Sequence, residues 1–432
     1  MSVAKLLSHL SELSPQSRYA LMKLWLESGH SFPLQLSVQD CARHMAIPRA
    51  RAGKVINELI DAGHIKPNFR FGQRGRPKRF IDISAATTEM LHNLTPAHPG
   101  GVLHLESVHR LLGRRTSNAD ADSPSLSPAN IVFLIALLSF ANECGAVRGV
   151  GTKKLSTYTG MTAQRINLQI SKLRRLKVLL SAIPGTTSGR ILGKTTTVYW
   201  LNLNHQFLKS SKHQTISESM AVTLASGEIV NGVFELINEL KVERKKYMER
   251  ARRSLNRRQA TRLVLKNLSA PPIKQFAKLD ISQVEGFFEE ARNPDLRFTL
   301  QSMVDQIACD NALSRMHAKV NKGKVSLTTS KLRKLYKDLL PLHSQNKKTT
   351  TFPTWKNKQM LVRLVLSMAS TLADDLILLI PQLGIDVTCL TSLELAQISR
   401  MPSTDRYLIV AQDPNELDKE TKIEKLDEDS DI

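Results

Sequence analysis

Residues 47–65 read IPRARAGKVINELIDAGHI, and residues 161–179 read MTAQRINLQISKLRRLKVL. The two stretches align without a gap at an offset of 114 positions, so that Ile170 falls on Ile56. In each stretch the apolar residues recur at the spacing of an amphipathic helix that packs one face against a core. The chain is therefore predicted to contain an internal repeat with one such helix in each copy.

The segments around the first helix predict a short series of elements. The Ser-Pro pair at 14–15 opens one helix, and Ser37 caps a second. The third helix covers residues 48–62 and is followed by Gly63, which is typical of a helix C-terminus. Two β-prone runs, HIKPNFRF and KRFIDIS, then flank a basic GQRGRP turn. The predicted order is three helices followed by a hairpin.

The second copy has the same order. An apolar helix is predicted over residues 128–144, a short helix over TKKLSTYTG, and strands around residues 178–183 and 195–203. One position departs from the first copy, because Lys177 stands where the first copy has Gly63. We therefore expect the helix of the second copy to end without a glycine cap.

This order and these residues resemble the winged helix-turn-helix domains of bacterial transcriptional regulators. In that family the recognition helix enters the major groove and the wing touches the flanking backbone or minor groove. For the first copy the resemblance implies DNA contacts from Arg49, Arg51 and Lys54 on the helix and from Arg74, Gly75, Arg76, Lys78 and Arg79 on the wing. The alternative is that these charges form an ordinary solvated face and a basic turn. The Arg-Gly-Arg-Pro sequence also matches the core of an AT-hook, which lies in narrow A·T-rich minor grooves.

The second copy has side chains suited to base recognition. Glutamine and asparagine pair with adenine in the major groove, and arginine pairs with guanine. The candidate DNA-binding residues of this copy are Thr162, Gln164, Arg165, Asn167 and Lys172 on the helix and Arg190 and Lys194 in the long loop of the hairpin. The alternative is a winged helix used for protein contacts.

The charge of the whole chain also favours a polyanionic partner. Its 432 residues include 61 Lys and Arg against 39 Asp and Glu, a net charge of +22, while the hydrophobic content of 41% is that of a globular protein. Residues 241–266 alone carry a net charge of +9, whereas the tail at 412–432 carries −6. The basic segment is predicted either to follow phosphates or to form a solvated helix.

Several other classes of function find no support in the sequence. The four cysteines have no metal-ligand spacing, and no catalytic motif is present. The GRILGKTT stretch at 189–196 lacks the first glycine of a phosphate-binding loop. The longest apolar run, residues 131–141, is far shorter than the ~18 residues of a membrane-spanning helix. We therefore expect no enzyme activity, cofactor, metal or membrane partner, and a cytoplasmic, nucleoid-associated location.

The predicted fold class is mainly α with small β-hairpin wings. The predicted segments are winged helix domain 1 at 1–84, a linker with a short helix at 85–127, winged helix domain 2 at 128–205, a basic helical region at 206–270, a helical C-terminal domain at 271–411 and an acidic disordered tail at 412–432. The linker is expected to let the two domains move relative to each other. The C-terminal helices are expected to serve homo-oligomerisation or partner docking.

The predicted function is sequence-specific binding of double-stranded DNA by a bacterial transcriptional regulator. Two alternatives remain open at this point. One is a plasmid- or phage-type replication initiator, because such proteins resemble this chain in carrying two winged helix domains. The other is a partition or scaffold protein whose winged helices bind proteins.

Overall fold

The computed structural model divides the chain into two compact units. The first comprises Met1–Ala182 and Val198–Lys212, and the second comprises Ile183–Thr197 and His213–Ile432. The structure describes residues 7–27, 36–45, 47, 49–70, 78–92, 103–113, 126–187, 192, 194–209, 216–250, 284–288, 294–320, 339, 355–397 and 405–412. These residues are mostly helical, with small antiparallel sheets, in agreement with the predicted fold class at this level.

The first copy of the repeat forms three helices and a small sheet. Its elements are α1 (Pro15–Glu27), β1 (Leu36–Ser37), α2 (Val38–His44), α3 (Arg49–Asp61), β2 (Ile65–Arg70) and β3 (Lys78–Ile83). Ser37 caps α2 as predicted, because its side chain accepts a hydrogen bond from the backbone N–H of Asp40. In the sheet, β3 lies between β1 and β2 and is antiparallel to both.

Two helices follow the first copy, and the second copy then repeats its elements. The two helices are α4 (Ala85–His92) and α5 (Leu105–Gly113). The second copy consists of α6 (Pro128–Leu138), β4 (Ala146–Val147), α7 (Thr152–Thr159), α8 (Ala163–Arg175), β5 (Leu179–Ile183) and β6 (Val198–Leu201). Its sheet has the order of the first, with the last strand in the middle. The starts of α7, α8 and β5 keep the offset of 114 positions found in the sequence.

The ends of α3 and α8 have the same geometry although their residues differ. Gly63 has φ +74° and Lys177 has φ +56°, both in the left-handed region. In each copy this residue donates its N–H to the carbonyl three positions earlier, and the next residue donates to the carbonyl five positions earlier. This is the Schellman arrangement of a helix C-terminus. The second copy therefore lacks the glycine, as the sequence shows, but keeps the capping geometry with a lysine.

The two copies share one hydrophobic core. Helix α1 packs against α6, and α5 packs against both of them. Val108, Leu111 and Leu112 of α5 are buried, and Lys23 of α1 donates a hydrogen bond from Nζ to the carbonyl of Leu112 at 2.6 Å. The structure therefore differs from the expectation of a linker that separates two mobile domains. Helix α5 is a core element between them, and α4 is a further helix that the sequence analysis did not predict.

Arg18 of α1 joins the two copies through its guanidinium group. Its side chain is fully buried and donates hydrogen bonds to the carbonyls of Leu13, Ser11 and Thr157 at 2.7–2.8 Å. Leu13 and Ser11 precede α1, whereas Thr157 belongs to α7 of the second copy. Burial lowers the pKa of Arg18 to about 10, and the nearby Glu58 opposes this shift. The guanidinium therefore remains charged at neutral pH.

The second unit combines long helices with a three-stranded sheet. Its elements are β7 (Ile216–Thr223), α9 (Ile229–Arg250), a short 3₁₀ turn (Glu285–Phe288), α10 (Pro294–Val320), α11 (Trp355–Gln382), β8 (Leu390–Gln397) and β9 (Asp405–Gln412). Strand β9 lies between β7 and β8 and is antiparallel to both. Helix α10 packs against α11 and β8 around a second hydrophobic core.

This sheet corrects the prediction of a basic helical region at 206–270 and a helical C-terminal domain at 271–411, because both segments contribute strands. The sequence of β8, LTSLELAQ, is rich in leucine, glutamate, alanine and glutamine, which favour helices when considered alone. Strand pairing with β9 and burial of Leu393 and Leu395 in the core override that preference. Strand β9 also ends at Gln412, the first residue of the predicted acidic tail, and residues 413–432 lie outside the described part of the chain.

Ionic groups connect the helices of this unit to each other and to the sheet. Asp305 of α10 and Arg406 of β9 are both buried, with 3.4 Å between Oδ2 and Nε, and Gln301 donates to the other Asp305 oxygen at 2.6 Å. Burial raises the pKa of Asp305, and the charge of Arg406 opposes the shift.

The neighbouring acids Asp374 and Asp375 of α11 have structural partners. Asp374 bonds to Arg315 of α10, and Asp375 accepts from the backbone N–H of Ser226.

Helix α11 includes the one stretch in the described residues that is long and apolar enough to span a membrane. This stretch is Asn357–Gln382, and 44% of its most apolar window is buried inside the protein. The stretch meets the criteria for a membrane-spanning helix by length and composition only, and a buried core helix of a soluble protein meets the same criteria. Leu361, Val365 and Leu372 lie fully buried in the core of the second unit.

We expect Arg18→Met to lower the free energy of unfolding by about 3 kcal/mol, because the substitution leaves buried carbonyls in both copies without their donor. Urea unfolding followed by circular dichroism measures this change. Arg43→Met is the matched control, since the side chain of Arg43 is 72% exposed, and it should change stability by less than about 0.5 kcal/mol. Equal losses in the two variants would contradict a linking role for Arg18.

Lys177→Gly is expected to raise the free energy of unfolding by about 1 kcal/mol, because glycine adopts the left-handed conformation without the steric cost of a Cβ atom. The reciprocal change Gly63→Lys should lower it by a similar amount. A Cβ atom at Gly63 would have no neighbour within 4 Å, so backbone conformation alone is tested. The same urea titration measures both variants. If Lys177→Gly instead lowers the free energy of unfolding, the contacts of the lysine side chain stabilise the protein by more than its left-handed backbone conformation destabilises it.

Candidate nucleic-acid interface

Helix α3 has one buried and one exposed face. Ala52, Val55, Ile56 and Leu59 are buried in the core of the first unit. The three predicted DNA-binding residues of this helix, Arg49, Arg51 and Lys54, are all exposed. The exposed side also includes Ala50, Gly53 and Asn57. The structure therefore brings the predicted cations together on the solvent side of α3.

Glu58 fixes α3 to the start of α1. Its Oε2 atom accepts hydrogen bonds from the hydroxyls of Ser14 and Ser17 at 2.8 and 2.6 Å, and the backbone N–H of Ser14 donates to Oε1. Partial burial raises the pKa of Glu58, but the bonds from Ser17 and Ser14 together outweigh that effect and keep the pKa below its usual value. The position of the exposed face of α3 thus depends on an ionised carboxylate at the N-terminus of α1.

Helix α8 begins at a side-chain cap. Thr162, which was predicted to contact DNA, accepts a hydrogen bond from the backbone N–H of Arg165 at 3.3 Å and is exposed. Ile166 and Leu173 are buried beneath the helix, whereas Gln164 and Asn167 are exposed. The two remaining candidates of this helix, Arg165 and Lys172, are half-buried. Thr162 therefore has a capping role in the free protein besides any contact with a ligand.

The offset of 114 positions shows which side chains occupy equivalent places on α3 and α8. Arg51 corresponds to Arg165, so both copies have an arginine there. The other exposed positions differ between α3 and α8. Ala50 corresponds to Gln164, Gly53 to Asn167, Lys54 to Leu168 and Asn57 to Ser171. The two helices therefore present different chemical groups on equivalent surfaces.

The sequence analysis missed Leu168, Ser171 and Arg175 as members of the exposed face of α8. All three are exposed, and the side chain of Leu168 is 63% exposed despite its size. Helical spacing would have identified them, since Leu168 and Ser171 lie four and seven positions after Gln164 and Arg175 lies four positions after Ser171. They were missed because position on the helix was not used as a criterion, and Leu168 is also apolar.

The two hairpins are described to different extents. In the first, Lys78 and Arg79 belong to β3, while Arg74, Gly75 and Arg76 lie outside the described residues. In the second hairpin, Lys194 is exposed, and Arg190 lies outside the described residues.

The loop of the second hairpin packs with the second unit. Residues 183–197 belong to that unit, where Leu192 is buried and donates its N–H to the carbonyl of Leu339 at 2.9 Å. Thr195 also exchanges backbone and side-chain hydrogen bonds with Thr186. The loop that carries Lys194, a predicted DNA contact, thus also has contacts within the protein.

The charges of the two helices differ. Helix α8 carries Arg165, Lys172, Arg174 and Arg175 and no acidic residue, whereas α3 includes Glu58 and Asp61 beside its cations. The predicted basic segment at 241–266 is described only as far as Arg250, within α9. There Lys246 pairs with Glu243 at 2.5 Å and Lys245 lies 4.0 Å from Glu249, so part of its charge is balanced locally. In α8, by contrast, no acidic residue of the helix itself offsets its four cations.

The described residues include no group of three or more His, Cys, Asp or Glu side chains arranged to hold a metal ion. Comparison of the chain with protein-family models, with curated proteins and with solved structures found no match.

Glu58→Gln is expected to lower the free energy of unfolding by about 1 kcal/mol at pH 7, because a neutral amide caps α1 less well than a carboxylate. A lowered pKa in the folded state means that the stabilisation is present above the unfolded-state pKa and is lost as the pH falls through the folded-state value. The difference in free energy of unfolding between the wild type and Glu58→Gln should therefore become smaller toward pH 3. Urea unfolding at several pH values measures it, with the exposed Glu239→Gln as control. A pH-independent difference would rule out the ionic cap.

Proposed function

We propose that this protein binds double-stranded DNA sequence-specifically through two winged helix domains, formed by the two copies of the repeat. The observation that carries the proposal is the equivalence of α3 and α8. Each is the third helix in the order helix, strand, helix, helix, strand, strand, and each turns cations or amides to solvent. That order supports the winged helix assignment, in which the third helix reads the major groove.

The side chains named as candidate DNA contacts suit two kinds of interaction. Gln164 and Asn167 can bond to adenine through two atoms, and Arg51 and Arg165 can bond in the same way to guanine. Arg49, Lys54 and the wing residues Arg74, Arg76, Lys78 and Arg79 would add contacts to bases, phosphates or a narrow minor groove. The net charge of +22 would attract the duplex to the protein at low ionic strength. Phosphate contacts would thus fix position while α3 and α8 read the sequence.

The proposed biological role is transcriptional regulation in the bacterial cytoplasm. A second role, as a plasmid- or phage-type replication initiator, is favoured by one observation, namely that two similar copies share a single core within one chain. Both roles require sequence-specific DNA binding and differ in where the sites occur. Sites beside promoters would support a regulator, and clustered sites at an origin would support an initiator.

Selection of bound duplexes from a random library, at low and near-physiological salt, tests the proposal. The proposal expects an enriched motif that persists at the higher salt, because base contacts do not depend on counterion release. Binding without enrichment that collapses as salt rises would reject it. In that case the winged helices would be better explained as protein-contact modules of a scaffold or partition protein.

We expect Gln164→Ala to weaken binding of the selected duplex by about 1–3 kcal/mol and to relax the base preference at one position. Arg51→Ala should have the same kind of effect at another position.

Replacing Lys245 and Lys246 together should weaken binding to all sequences alike and make the affinity less dependent on salt concentration. Fluorescence anisotropy with matched and mismatched duplexes measures these effects. Lys319→Ala, at an exposed position of the second unit, is the control for loss of one positive charge.

A further inference from the structure

Leu168 is an apolar side chain at the centre of an otherwise polar face. It is 63% exposed, and the exposed residues Gln164 and Ser171 lie one helical turn before and after it, while the exposed Asn167 directly precedes it in the chain. The apolar side of α8 is formed by other residues, since Ile166 and Leu173 are buried in the core of the first unit. Packing of the helix therefore does not account for a leucine at this position.

The first copy shows that the fold does not require an apolar residue there. Lys54 occupies the equivalent place on α3 and is also exposed. A large exposed aliphatic group has a cost in water, because its apolar surface remains hydrated. Its presence at the centre of the α8 face is explained if a ligand covers it.

The charge around Leu168 indicates the chemistry of that ligand. Helix α8 carries four cations and no acidic residue, which complements a polyanion. The flanking amides of Gln164 and Asn167 offer donors and acceptors to base edges. The apolar group that a DNA duplex presents in the major groove is the 5-methyl group of thymine. We propose that Leu168 is a specificity-determining residue that contacts a thymine methyl group in the major groove, an inference that rests on the proposed function.

The expected contribution is that of one buried methyl group. Covering it removes about 0.8 kcal/mol of apolar hydration, which corresponds to roughly a fourfold change in affinity. The contact discriminates thymine from uracil, which has the same Watson–Crick edge but lacks the methyl group. It also discriminates thymine from cytosine at the same position.

The test is a set of duplexes that carry the selected motif with single replacements of thymine by deoxyuridine. Dissociation constants are measured for the full-length wild-type protein, for Leu168→Ala and for the control Lys54→Ala. At one thymine we expect the replacement to weaken the wild type and Lys54→Ala roughly fourfold while leaving Leu168→Ala unchanged. Because Leu168 is mostly exposed, the variant should keep the unfolding transition of the wild type, and a urea titration checks this.

Two results would overturn the inference. One is that no replacement by deoxyuridine affects the wild type. The other is that each replacement by deoxyuridine weakens Leu168→Ala as much as it weakens the wild type. If, in addition, sedimentation shows a dimer for the wild type and a monomer for Leu168→Ala, Leu168 contacts protein and not DNA. Failure of the proposed function can be distinguished from failure of this inference alone, because in the first case the wild type would enrich no motif from the random library. That result would overturn both proposals.

Discussion

The first unit depends on the buried guanidinium group of Arg18. Arg18 extends from α1 of the first copy to the carbonyl of Thr157 in the second, and its remaining donors satisfy carbonyls before α1. Gly160 makes this approach possible, since it has φ +67° and a Cβ atom there would lie 2.5 Å from the carbonyl oxygen of Leu13. A buried guanidinium without these acceptors would be strongly destabilising. Both copies must therefore fold together, with α1, α5 and α6 around one core.

This shared core determines how the two exposed helix faces are used. Helices α3 and α8 belong to one compact unit, although the sequence between the copies looks like a linker. Equivalent positions on the two helices carry different side chains, such as Lys54 and Leu168. Under the proposed function, one chain would present two different reading surfaces whose spacing is fixed by packing and not by a flexible tether. Duplication followed by divergence of the exposed positions would produce such an arrangement, because those positions are free of core constraints.

The second unit is organised by different interactions. Its sheet and its long helices meet at the buried pair of Asp305 and Arg406, where Gln301 satisfies the second carboxylate oxygen. The loop of the second hairpin is part of this unit through Leu192. The segment that follows β5 of the second copy thus contributes to a different core from the rest of that copy. This explains why the second hairpin loop is longer than the first and why it includes a buried leucine.

The sequence alone determined the repeat, the three helices and hairpin of each copy, the cap at Ser37 and the buried stripes of α3 and α8, because these features follow from local periodicity and capping chemistry. It also identified cations and amides that the structure places on exposed faces. Tertiary structure decided the rest. Only packing made α5 a core helix and turned the helix-prone LTSLELAQ into a strand. These outcomes depend on partners that are distant in the chain, and local sequence preferences are too weak to specify them.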